Sequence, residues 1–159
     1  MVNNLRASGV FNINKLIEGI IMQGYNVIVV FNKTFDKVLM CRRTKNPYKN
    51  KSNFVGGKIE ENEDGYTAAY RELEEETAIT STDISITHLV DFNYPLDNCY
   101  VEVYVGKLNK DVILKEEKHP LYWSELDKNF FDSSQYAGYG NIGHIMELIW
   151  LYKDNQLKF

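Results

Sequence analysis

Apolar and polar positions along the chain follow two periods, one of strands and one of helices. From Tyr25 to Phe31 the run Tyr-Asn-Val-Ile-Val-Val-Phe is β-branched and reads as a buried strand. Asn32 to Asp36 reads as a turn, and Lys37 to Arg43 returns as the second strand of a hairpin. A polar loop over 44–53 leads to Phe54-Val55-Gly56-Gly57. The spacing then predicts a helix from about Glu63 to Thr77, with Asn62 as its N-cap. Two strands, 84–94 and 99–108, are joined by Pro95-Leu96-Asp97-Asn98, and a short strand near 121–124 carries Trp123. Ile142, Ile145, Met146, Ile149 and Tyr152 share one face of a closing helix over 141–153. Upstream, Ile13, Leu16, Ile17, Ile20 and Ile21 lie at helical spacing before Gly24. They predict a short amphipathic helix over 13–23 that packs on the domain or on a second subunit. The fold class is α/β: a mixed sheet covered by helices. The division is an N-terminal extension, 1–24, and one domain, 25–159.

Composition narrows this picture. The 159 residues are 44% apolar and 25% charged, enough to bury a core in one domain without disulfides. The formal net charge of -4 speaks against a general nucleic-acid coat, so no nucleic-acid polymer is expected as partner. No apolar run is long enough to span a bilayer, and the N-terminus lacks a secretory pattern, its apolar stretch being interrupted by Lys15 and Glu18. Cys41 and Cys99 have no CxxC spacing and read as buried free thiols. The expectation is a soluble cytoplasmic protein, monomer or homodimer, with no membrane partner.

Candidate chemistry lies between Gly56 and Ile79. On a helix Glu72, Glu75 and Glu76 are related as i, i+3 and i+4, so three carboxylates share a face. Tyr66, Ala69, Tyr70, Leu73 and Thr77 form a neighbouring face that can dock on the sheet, Glu74 points to water, and Arg71 and Glu75 are i, i+4 partners. Three like charges repel unless a cation intervenes, and carboxylate oxygens suit Mg²⁺ or Mn²⁺. An acidic solvated helix is the alternative. From Arg42 to Lys58 there are six basic residues and no acid; from Glu60 to Glu76 there are eight acids and one base. A basic loop beside an acidic helix suits a metal-plus-polyphosphate site. Strand alternation sends only one of Arg42 and Arg43 inward, and Arg42 is taken as the substrate contact. Lys49 and Lys51 read as solvated.

The segment resembles the Nudix box, G-x5-E-x7-R-E-U-x-E-E-x-G-U with U a bulky aliphatic residue. The matching positions are Gly57, Glu63, Arg71, Glu72, Leu73, Glu75, Glu76 and Ile79; Ala78 stands where the last glycine is expected. Six fixed identities at this spacing arise by chance at about one start in 10⁷. The resemblance implies the Nudix α/β/α sandwich and a Mg²⁺-dependent hydrolase of a nucleoside diphosphate linked to another group. It implies metal ligation by Glu72, Glu75, Glu76 and the Gly56 carbonyl, with Glu63 an accessory carboxylate. Arg71 would orient the glutamates and Lys58 would contact phosphate. Glu75, or Glu116 and Glu117 in the loop before Trp123, would serve as general base.

Substrate identity lies outside the box. Asn53-Phe54-Val55-Gly56-Gly57-Lys58 resembles the N-x-x-G-G-K stretch of enzymes that hydrolyse oxidised guanine nucleotides such as 8-oxo-dGTP. Asn53 is then the candidate base contact, or closes the loop turn; Phe54 is a stacking surface or core. Pro95, sixteen residues after the box, matches an offset found in ADP-ribose-type pyrophosphatases, so ADP-ribose or a nucleotide sugar is an alternative substrate. Phe130, Phe131, Tyr136 and Tyr139 either cover a base or pin a loop to the core. A non-catalytic nucleotide-sensing domain is the third reading.

Overall fold

A computed structural model describes residues 16–17, 20–157 and 159. In chain order its elements are β1 (Leu16–Ile17), β2 (Ile20–Ile21), β3 (Gln23–Phe31), β4 (Lys37–Arg42), β5 (Ser52–Asn53), α1 (Gly65–Thr77), β6 (Ile84–Tyr94), β7 (Cys99–Leu108), β8 (Leu121–Glu125) and α2 (Asn141–Tyr152). The main sheet runs β5-β4-β3-β7-β6, with β8 also paired to β4. It is mixed because β3 runs parallel to β7 while the other pairings are antiparallel.

Strand alternation separates two cores. Val29, Phe31, Val38, Met40, Val103 and Val105 face α2 through Ile142, Ile145, Met146 and Ile149. Ile28, Val30, Leu39, Cys41, Ile84, Ile86 and Tyr104 face α1 through Ala69 and Leu73. Each helix thus buries one stripe on one sheet face, which gives the expected α/β/α sandwich.

Several sequence expectations are corrected. The proposed 13–23 helix is not formed where the structure describes that stretch; residues 13–15 and 18–19 lie outside the described residues. Leu16–Ile17 pairs antiparallel with Ile20–Ile21, and β3 already begins at Gln23. A run dominated by isoleucine fits helical spacing, but its β-branched side chains favour extended backbone. Helix α1 is capped by Asp64, whose carboxylate accepts from the Thr67 N–H at 2.9 Å; Asn62 has φ 65° and belongs to the turn before it. Tyr66 is exposed, whereas Glu72 and Glu76 are buried, so the docked stripe of α1 is rotated toward its carboxylates. Cys41 is buried and its thiol is pushed up to about 12 by burial and then by the Glu76 charge, but Cys99 is only half-buried.

Helix α1 ends at Ala78 with φ 63° and ψ 15°, and its N–H closes on the Glu74 carbonyl. This is the left-handed exit that glycine normally fills, and an alanine there costs about 1 kcal/mol. Ala78 is exposed, so nothing else constrains it. Ala78→Gly should therefore raise Tm by about 1–3 °C, the relief exceeding the extra unfolded-state entropy of glycine. A thermal melt with unchanged or lower Tm rejects strain at this exit.

Candidate functional site

The site begins with a bend that only glycine permits. Gly56 has φ 141°, and a Cβ there would lie 2.3 Å from the Asn26 carbonyl oxygen. The bend keeps the 55–57 segment on β3: the Ile28 N–H donates to the Val55 carbonyl, and the Asn26 N–H to the Gly57 carbonyl, both at 2.8 Å. The Asn26 side chain, buried in β3, accepts the Gly57 N–H at 3.2 Å. At Gly57 a Cβ would meet the Glu72 carboxylate at 2.3 Å, so the absent side chain is the space the carboxylate occupies. The Gly56 N–H donates to Glu76 Oε2 at 3.1 Å. Loop and helix are thereby locked through two glutamates one turn apart.

Arg71 organises the carboxylates. Its Nε and Nη2 donate to Glu63 at 2.9 and 2.8 Å in a fork. Nη1 donates to Glu72 Oε1 at 2.7 Å and reaches Glu75 at 3.4 Å, while Nη2 also donates to the Lys58 carbonyl at 2.9 Å. The bonds from Arg71 hold the Glu63 carboxyl below the usual range, and Glu63 and Glu72 in turn hold the guanidinium well above its own. Both Glu63 oxygens are thus engaged, which makes Glu63 the anchor of the arginine. Burial, and more weakly the neighbouring Glu72 charge, holds Glu76 above the usual carboxylate range against the opposing Gly56 N–H.

Glu72 Oε2 is buried and has no hydrogen-bond partner among the described residues; the Lys118 ammonium lies 3.8 Å away. An orphaned carboxylate oxygen beside a second buried carboxylate is a donor set that fits a hard cation. No three His, Cys, Asp or Glu side chains among the described residues converge to hold an ion by themselves. Mg²⁺ does not demand such a cage, because it is usually bound by one or two carboxylates, waters and substrate phosphates.

The remaining candidates divide. Lys58 is exposed beside Arg71, and Glu75 is the most exposed of the three helix glutamates. Phe54, taken as a possible stacking surface, is 2% exposed and packs in the core facing α2, so it cannot stack on a ligand. Arg42 is also corrected. Cys41 points to the α1 face, so Arg42 turns to the other, where its guanidinium lies over the Tyr122 ring at 5.8 Å. Of the two arginines it is Arg43 whose charge acts on Glu76, more weakly than that of Lys118. Asn53 Oδ1 accepts the Phe54 N–H, closing the local turn. Glu116 accepts the Leu121 N–H at 2.8 Å and so braces the entry to β8. Lys51 is tied to the Ser133 carbonyl.

Three residues escaped the sequence reading. Asn26 is a polar residue inside an apolar strand, which is a usable signal. Glu102, buried in β7, lies where a Cβ on Gly65 would stand, at the start of α1; a lone acid at an inward strand position marks it. Lys118 has no such signal, because a loop brings it to Glu72 from far along the chain.

The family model for the NUDIX domain matches residues 22–136, well over half of the chain, and the chain belongs to this family. Its enzymes are hydrolases acting on phosphoric anhydrides. No curated protein matches the sequence significantly. Solved structures share the fold. A MutT from work on the Aliivibrio salmonicida and Vibrio cholerae proteins is 20% identical with a TM-score of 0.62, over 82% of this chain and 98% of that one. A C. elegans Ap4A hydrolase binary complex is 21% identical with a TM-score of 0.63, over 80% and 98%. The NUDIX domain of Shewanella oneidensis NrtR, complexed with ADP ribose, is 19% identical with a TM-score of 0.63, over 83% and 88%.

The burial of Glu76 gives a prediction without turnover. A carboxyl whose folded pKa is raised favours the fold most below its unfolded value, near 4.5, and that benefit is lost as pH rises through the folded value. In chelator at pH 7, Glu76→Gln should therefore have a higher Tm than the unsubstituted protein, and the gap should close by about pH 4. Saturating Mg²⁺ should stabilise only the unsubstituted protein. A variant less stable in chelator at pH 7, or equally stabilised by Mg²⁺, contradicts the assignment.

Proposed function

We propose that this Nudix protein is a divalent-cation-dependent hydrolase that cleaves a nucleoside polyphosphate, or a nucleoside diphosphate linked to another group, by water attack at phosphorus. The observation that carries the reading is the buried Glu72 Oε2, which has no hydrogen-bond partner among the described residues, on a carboxylate held in place by Arg71 and set beside Glu76. Glu72 and Glu76 would hold Mg²⁺ or Mn²⁺, with Glu75 and the Gly56 carbonyl as further ligands. The chemistry such an ion would supply is neutralisation of phosphate oxygens and acidification of the attacking water.

The protein's own groups do the rest. Arg71 fixes the direction of Glu72 and Glu75. Exposed Lys58 and, in place of Arg42, Arg43 meet the phosphate chain as point charge and fork. Glu75 is favoured as general base because it is the most solvent-reachable of the helix carboxylates. Glu116 is disfavoured because it is engaged with the Leu121 N–H. The oxidised purine nucleotide reading leaned on Asn53, whose side-chain carbonyl accepts the Phe54 N–H in its own turn. A MutT-like triphosphate, a dinucleoside polyphosphate and ADP-ribose, or a nucleotide sugar, therefore stand together as substrate classes.

A nucleotide-sensing domain without activity is the second reading; every box glutamate is present, which favours an enzyme. Phosphate release, with and without added pyrophosphatase and with a phosphatase for monophosphate products, should show Mg²⁺-dependent turnover on at least one of 8-oxo-dGTP, diadenosine tetraphosphate and ADP-ribose. Glu75→Gln should lower kcat by about 10²-fold or more with the fold retained. No turnover on any substrate at micromolar enzyme would favour the sensor.

A further inference from the structure

The end of the sheet nearest the glutamates carries an aromatic pair that the reaction scheme leaves unused. Tyr48 and Tyr139 face each other with ring centroids 5.6 Å apart and planes at 71°. Both have left-handed backbone, φ 65° and 52°, which costs a tyrosine about 1 kcal/mol each. Tyr139 is 82% exposed, so burial of its ring does not offset that cost. Such strain is held by the surroundings and concentrates at ligand sites.

The surroundings are identifiable. Arg43 closes the 43–51 loop: its Nε donates to the Pro47 carbonyl at 2.7 Å, and its carbonyl accepts the Asn50 N–H at 2.8 Å. The segment before Tyr139 is fastened to β5, with the Ser52 N–H on the Gln135 carbonyl at 2.8 Å and the Ala137 N–H on the Ser52 carbonyl at 2.9 Å. Gly138 and Gly140, at φ 76° and 100°, flank Tyr139, and the following Asn141 amide donates to the Tyr94 hydroxyl. The start of β3, the end of β4, the β6–β7 turn and the start of α2 thus meet at one end of the sheet. The Gly56–Gly57 bend is bound to Asn26 at that same end. Burial raises the Tyr48 phenol above its ordinary value; among the charges around it is Arg43, which also acts on Glu76.

We propose that Tyr139, braced edge-on by Tyr48, is the platform on which the flat base of the nucleotide stacks, with Arg43 spanning from this platform to the phosphate chain at the glutamates. The proposal rests on the nucleotide-hydrolase reading and specifies how that site takes its base. The basic stretch around Arg43 and the acidic helix beyond it select a ligand with an aromatic ring at one end and phosphates at the other. Stacking uses the π-face that every base has, so the platform grades ring size and is tolerant of ring substituents.

Nucleoside monophosphates and ribose 5-phosphate separate the base from the rest of the ligand and require no turnover. By isothermal titration, the unsubstituted protein should bind AMP and GMP about tenfold or more tighter than ribose 5-phosphate, the worth of one stacked base. Tyr139→Ala should bring that ratio to within about twofold and leave ribose 5-phosphate affinity unchanged, whereas Tyr139→Trp should keep the ratio. A ratio preserved in Tyr139→Ala, no base preference in the unsubstituted protein, or no binding of any of the three ligands overturns the platform. An enzyme that reads its base elsewhere would keep its turnover and fail here, while a silent domain could pass here and fail the turnover assay.

Discussion

Repulsion among Glu72, Glu75 and Glu76 is the constraint around which this end of the molecule is built. Two of these carboxylates are buried, and a buried charge is tolerated only when it is paired or neutralised. Arg71 neutralises part of the cluster through one planar fork, clamped on Glu63 and reaching Glu72, Glu75 and the Lys58 carbonyl. A lysine cannot reproduce that pattern, since a single ammonium lacks the fixed fork. What Arg71 does not bond is Glu72 Oε2 beside Glu76, which has no hydrogen-bond partner among the described residues and only the Lys118 ammonium at 3.8 Å, and that oxygen is the feature that suits a divalent cation.

The sheet supplies the rigidity this arrangement needs. Helix α1 lies on one face through Ala69 and Leu73, and the glycine bend is bonded along β3, so both halves of the site are referred to the same strands. The two glycines act differently. Gly56 permits a backbone path that a side chain would block; Gly57 vacates the volume filled by the Glu72 carboxylate. The net charge of -4 gains meaning from this placement. The acids concentrate on a helix that would carry divalent ions, next to a loop of opposite sign, which suits a polyphosphate better than a nucleic-acid polymer.

Much of this was legible because long periodic runs specify their own structure. The strands at 84–94 and 99–108 and the helix over the box follow from spacing alone. Ala78 was legible as a left-handed exit because the box places glycine there. The short pairs Leu16–Ile17 and Ile20–Ile21 were not, since so few residues cannot separate a helical from an extended pattern. The choice between Arg42 and Arg43 turned on which way Cys41 faces, a parity set by the whole sheet. Phe54 was open as a stacking surface or as core, and its packing against the α2 side of the sheet makes it core. Lys118 reaches Glu72 by a loop path that no local pattern encodes.

The central claim is that one arginine holds the carboxylates of a cation site in register. Mn²⁺ binding followed by electron paramagnetic resonance tests it most directly, comparing the unsubstituted protein with Arg71→Lys. The conserved charge with a lost fork should weaken Mn²⁺ binding by about tenfold or more, as disturbance of ligand-orienting partners does, with the circular dichroism spectrum unchanged. Equal Mn²⁺ affinity in the two proteins, or no Mn²⁺ binding by either, would contradict it.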